Sequence, residues 1–131
     1  MPSRLRQHYL DYIAVLNDRR FDDLAGFVAG NLTYNGRPTT LLQYQRDRQD
    51  EAEAIPDLRF NVGLLAAEGD LVACKLDFDC TPVKTFLGFE PSGSRIQFTE
   101  HVFYRFSGEL IVAVTSLLDL AAIQRQLSGA R

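Results

Sequence analysis

The chain has 131 residues, room for a single domain whose folding buries roughly two thirds of the surface the unfolded chain exposes. Hydrophobic residues make up 46% and charged residues 24%, which excludes a disordered chain. Fourteen Lys and Arg against seventeen Asp and Glu leave a net charge of −3, the wrong balance for the concentrated basic surface that nucleic-acid or anionic-membrane binding requires.

The first residues, Met1 to His8, lack the apolar stretch of a secretory signal, and a cytoplasmic location is expected. Leu5, Tyr9, Tyr12, Ile13 and Leu16 recur at helical spacing and predict an amphipathic first helix. After Asn17-Asp18, the set Phe21, Leu24, Phe27 and Val28 predicts a short second helix closed by Gly30-Asn31. Tyr34-Asn35-Gly36-Arg37-Pro38 reads as a turn, because an Asn-Gly pair tolerates positive φ. Thr40 with Gln43 is a capping-box signature. The helix it opens carries Leu41, Tyr44, Arg48, Ala52 and Ile55 on one side and ends before Pro56. Its other side, with Arg46, Asp47, Gln49, Asp50, Glu51 and Glu53, reads as solvated.

From Asp57 the hydrophobic period becomes two, and strands are predicted at 58–67, 71–80, 84–89, 95–106 and 110–118, followed by a helix from Asp119 to Leu127. The apolar run Leu110–Leu118 has nine residues, too few for a membrane span of about 20. Helices first and an antiparallel meander second predict an α+β fold, with helices over one face of a curved sheet. The mouth of the resulting cone is a natural small-molecule site. Nine Phe and no Trp give a core that either packs solid or lines such a cavity.

Cys74 and Cys80 fall in one strand, on the order of 20 Å apart, beyond disulfide reach. They read as two small buried hydrophobes. No CxxC or HxxxH spacing offers a metal site, and no GxSxG, P-loop or GxGxxG is present.

Asp119 follows nine uncharged residues and so leaves buried structure, where a carboxylate suits general acid–base work; an Asp before a helix is equally a good N-cap. Alternation groups Thr99, His101, Phe103 and Arg105 on one face of their strand, opposite Phe98, Glu100, Val102 and Tyr104. If the first set faces the cavity, His101 transfers protons and Arg105 is its charge partner; Arg105 is otherwise free to pair with Glu100, Asp77 or Asp79. Asp77 and Asp79 share a face with Lys75 that reads as solvated. Tyr34, Asn35 and Arg37 offer a phenol, an amide and a guanidinium that could hold an oxyanion. Strand 110–118 is apolar on both faces, which predicts that a second subunit covers the convex side of the sheet.

The segments Tyr34-Asn35-Gly36-Arg37-Pro38, Ile55-Pro56-Asp57-Leu58-Arg59, Ala67-Glu68-Gly69-Asp70, Phe86-Leu87-Gly88 with Pro91-Ser92-Gly93, Phe98-Thr99-Glu100, and Asp119 to Leu127 together resemble the SnoaL-like polyketide (ester) cyclases of the nuclear transport factor 2-like superfamily. The resemblance runs from about residue 8 to 127. It implies a cone-shaped α+β barrel, a homodimer, and acid–base ring closure without metal or organic cofactor, with the catalytic carboxylate at the position of Asp119. Three departures stand out: Cys80-Thr81-Pro82 in place of Gly-Thr-His, and Ala113 and Thr115 in place of Glu and Trp. The smaller residues on the last strand are expected to widen the cavity.

The reading from sequence is therefore a cofactor-independent cyclase or isomerase of an apolar, carbonyl-bearing small molecule. Asp119 is its acid–base group, assisted by His101 and Arg105. Tyr34, Asn35 and Arg37 hold the oxyanion, and Phe86 and Phe103 form the apolar wall. The alternatives are a hydrolase or dehydratase of the same fold, and a binding module without catalysis.

Overall fold

Alternating burial along the second half of the chain builds most of the fold. The structure, a computed structural model, describes residues 2–128. In chain order it contains α1 (Pro2–Asn17), a 3-10 turn (Phe21–Gly26), β1 (Val28–Tyr34), β2 (Arg37–Thr40), α2 (Leu41–Ala54), β3 (Asn61–Glu68), β4 (Leu71–Cys80), β5 (Ile96–Ser107), β6 (Leu110–Leu118) and α3 (Leu120–Ser128). No helix among the described residues is long and apolar enough to cross a membrane.

The six strands form one mixed sheet in the order β2-β1-β6-β5-β4-β3. β3 to β6 make the antiparallel meander, while β1 joins β6 in parallel. Register shifts within β1–β6, β3–β4 and β5–β6 mark bulges, and each bends its strand. The sheet curves without closing.

On β4, Val72, Cys74, Leu76, Phe78 and Cys80 point inward. On β5 the inward set is Ile96, Phe98, Val102, Tyr104 and Phe106. α1 lays Tyr9, Tyr12, Ile13 and Leu16 on this face, packing against β3 and β4. α2 packs against β1 and starts where Thr40 accepts a hydrogen bond from the Gln43 amide at 3.1 Å, one half of the expected capping box. Both cysteines are free and buried, as their reading as small hydrophobes requires.

β4 and β6 match the predicted strands residue for residue. Two expectations are corrected. The second helix is only a 3-10 turn, and Gly30-Asn31 lies inside β1. β1 pairs in parallel with β6, some eighty residues away, at Val28 and again from Thr33, and antiparallel with β2 from Asn31, and its burial does not alternate, so no local periodicity announces it. The register slip between Val28 and Thr33 is where the glycine is tolerated. The segment 84–89 is not a strand and contributes only a bridge between Phe86 and Phe89.

α3 returns to the far end of β5. The Gln126 side chain accepts from the Gln97 amide at 2.7 Å and donates to the Gln97 carbonyl at 2.5 Å.

Candidate active site

A cavity of about 610 Å³ opens between α2, the inner face of β4 to β6 and the segment following β4. Phe60, Phe78, Phe86 and Phe98 wall it. Phe78 and Phe98 are register partners across β4 and β5 and stack at 4.9 Å, with Phe60 edge-on to Phe78 at 5.4 Å. Four of the nine phenylalanines thus line a cavity.

The polar end is built from four elements, β5, β6, the β1–β2 hairpin and α2. Glu100, on the inner face of β5, is half-buried, and its carboxylate accepts a hydrogen bond from the Ser116 hydroxyl on β6. Ser116 is in turn held by Asn35, whose side-chain oxygen accepts from the Ser116 amide at 2.7 Å. Asn35 and Gly36 have φ of 50° and 81° and form the two-residue hairpin turn between β1 and β2 that an Asn-Gly pair favours. Burial pushes the Glu100 carboxyl above the ordinary range, against the opposing Ser116 hydrogen bond.

Arg48 enters from α2, its side chain only 12% exposed. Its Nε and Nη2 donate to the Glu51 carboxylate at 2.8 and 3.1 Å. The guanidinium carbon lies 4.6 Å from the centre of the Tyr44 ring and 5.8 Å from that of Tyr34, within cation–π range. Burial works against the charge, but Glu51 and the tyrosines outweigh it and hold Arg48 protonated. Tyr34 is pushed up to about 12 by burial, against the opposing Arg48, so its hydroxyl is a donor at neutral pH. Carboxylate, guanidinium and phenol therefore border one apolar chamber, the equipment for moving a proton beside a carbonyl.

Of the residues singled out from sequence, Tyr34, Asn35 and Phe86 border this cavity. Arg37 is exposed on β2 and does not line it. Asp119 is exposed, its Oδ1 accepting from the Ala122 amide at 3.1 Å: it is the N-cap of α3 and borders no part of the cavity. His101, Phe103 and Arg105 keep the common face that alternation assigned, but it is the outer one. All three are exposed on the convex side, and Arg105 pairs with Asp70 at 2.8 Å. The physical reason is the apolar excess of the other set, Phe98, Val102 and Tyr104, which takes the core. Ala113 and Thr115 face outward in register with Arg105 and Phe103, so their small size does not widen the cavity.

Glu100, Arg48, Glu51 and Ser116 were not selected from sequence. The signal for Glu100 was a carboxylate on the more apolar face of its strand. Asp47, Asp50 and Glu51, assigned to a solvated face, turn toward the cavity mouth with Ala54 at helical spacing.

The SnoaL-like polyketide cyclase family matches residues 6–127. The chain belongs to that family. A SnoaL-like polyketide cyclase of Agrobacterium tumefaciens is 43% identical, the match covering 94% of this chain and 97% of that one with a TM-score of 0.89. Two more distant structures share the fold. TsrD of Streptomyces laurentii is 20% identical over 95% of this chain and 92% of its own, with a TM-score of 0.80. A polyketide cyclase candidate of Acidithiobacillus ferrooxidans is 20% identical over 100% and 99%, with a TM-score of 0.85. No curated protein matches the chain. In this SnoaL-like protein the described carboxylates bordering the cavity are Glu100 in its interior and Asp47, Asp50 and Glu51 on α2.

Proposed function

We propose that this SnoaL-like protein is an acid–base cyclase acting on an apolar, carbonyl-bearing small molecule such as a polyketide ester, with Glu100 as the proton-transfer group. The observation that carries the reading is the Glu100 carboxylate on an aromatic-walled cavity that also holds Arg48 and Tyr34. Glu100 takes a proton from the carbon beside one carbonyl, and the C–H electrons form an enolate. The Tyr34 hydroxyl and the Arg48 guanidinium stabilise the enolate oxygen. The enolate carbon closes a C–C bond onto a second carbonyl of the same molecule, and Glu100 returns the proton to the new alkoxide. Phe78, Phe86 and Phe98 keep water from the intermediate.

A hydrolytic reading in which one guanidinium ties two carboxylates is less favoured, because Arg48 hydrogen-bonds Glu51 and not Glu100. The proposal includes a cytoplasmic location, with which two free buried thiols are compatible, and a homodimer through the convex face, supported by exposed Leu64, Phe103 and Leu117. The deciding experiment incubates wild type and Glu100→Gln with linear poly-β-ketone esters and follows cyclised product of unchanged mass. Loss of turnover by about 10²-fold or more in a folded variant supports the reading. Unchanged turnover, or products that have gained or lost water as the primary event, overturns it.

A further inference from the structure

Tyr12 on α1 and Tyr44 on α2 are 1% and 3% exposed, and neither lines the cavity. Their hydroxyl oxygens are 2.5 Å apart. A Phe at either position would fill the same space without desolvating a hydroxyl, so the pair carries a cost that an apolar core avoids. What the hydroxyls add is orientation. The Tyr12 ring is wedged edge-on against Tyr104 at 5.6 Å and beside Tyr9 at 5.7 Å. A hydroxyl so anchored fixes the far end of the Tyr44 ring, and the guanidinium of Arg48 rests 4.6 Å from the centre of that ring. Glu51 holds one edge of the same guanidinium through Nε and Nη2.

We propose that Tyr12 and Tyr44 are positioning residues for Arg48: their buried hydroxyl pair sets the tilt of the ring on which the guanidinium rests, and so aims its N–H groups at the substrate oxygen. This rests on the oxyanion role given to Arg48 above. Glu51 fixes where the guanidinium edge lies, and the ring fixes its plane; with both in place Arg48 is preorganised before substrate arrives. The path runs from α1 through two phenols to the cavity, and involves no proton transfer.

The test has two readouts that a merely structural role would not move. The first is hydrogen exchange of the Arg48 Nε–H, followed by NMR in the free protein. The second is the ionisation pH of methyl 3-hydroxy-2-naphthoate bound in the cavity, whose ionised oxygen stands in for the enolate. Tyr12→Phe is expected to speed Arg48 exchange about tenfold and to raise the probe's bound ionisation by about one pH unit, with backbone exchange in β4 and β5 unchanged. The double variant Tyr12→Phe with Tyr44→Phe removes both hydroxyls, so neither is left buried without its partner, and should show the same loss in a stable fold. Wild-type exchange and wild-type probe ionisation in these variants overturn the proposal alone. Arg48→Met leaving the probe's ionisation unchanged overturns the oxyanion role and, with it, the proposal. The exchange measurement needs no ligand, so weak probe binding does not prevent a decision.

Discussion

Arg48 reaches Glu51, one helical turn away, with two parallel hydrogen bonds from Nε and Nη2 of 2.8 and 3.1 Å. This fork is the geometry in which arginine binds a carboxylate most specifically. The only described cation bordering the cavity is thus already engaged.

Removing the Glu51 charge should therefore free Arg48 and destabilise the fold together. A fully buried pair loses ~3–5 kcal/mol when one partner is removed. Glu51 is 39% exposed, so Glu51→Gln should cost on the order of 1–2 kcal/mol, measured by urea unfolding. Turnover should fall mainly through kcat, since the guanidinium keeps its charge and loses its aim. A KM effect alone would argue against this.

Glu100 gives a pH signature of definite sign. Its folded pKa lies above the ordinary 4.5 because burial disfavours the anion. Its contribution to stability is therefore full below the unfolded pKa and is lost as pH rises through the folded one. Wild type should lose stability relative to Glu100→Gln across that window, read from paired denaturation curves. As a base Glu100 must be ionised, so the acid limb of kcat/KM should lie above the usual carboxylate range. A limb at an ordinary carboxylate pKa would count against Glu100.

Asp119 should behave as a cap. Asp119→Ala is expected to lower stability by about 1 kcal/mol with turnover intact, whereas Asp119→Asn, which caps as well, should leave both unchanged. Abolished turnover in a stable Asp119→Asn variant would restore the catalytic role expected from the family resemblance.

Leu117 is 69% exposed, and Leu64 and Phe103 are 67% and 47% exposed on the same face. Neighbouring register pairs place Leu117 beside His101, His101 beside Lys75, and Lys75 beside Leu64. Sedimentation should find wild type dimeric at micromolar concentration and Leu117→Lys monomeric. A monomeric wild type would remove the second subunit.

β4 and β6 were legible to the residue, and β3 and β5 to within a few residues at their ends, because alternation is a local signal. β1 and β2 were not: β1 takes a parallel partner far along the chain, and its hairpin with β2 joins two strands whose burial does not alternate. At the site, alternation sorted β5 correctly into two faces but did not by itself say which was inside. The hydrophobic weight of Phe98, Val102 and Tyr104 turns the Glu100 face inward and the His101 face outward. Arg48 lies in the apolar stripe of its helix, whereas its partner Glu51 lies at the border of that stripe among charges that read as solvated. A wide apolar stripe with charges at both borders hides such a pair.

The amide of Gln126 has one more consequence. β6 ends its pairing opposite Glu100, so β5 runs on toward Ile96 with one flank that no strand covers. Gln126 answers the Gln97 N–H and C=O as a neighbouring strand would. α3 is thus a stopper as well as a cover: it occupies the backbone groups on which another chain could begin an intermolecular ladder.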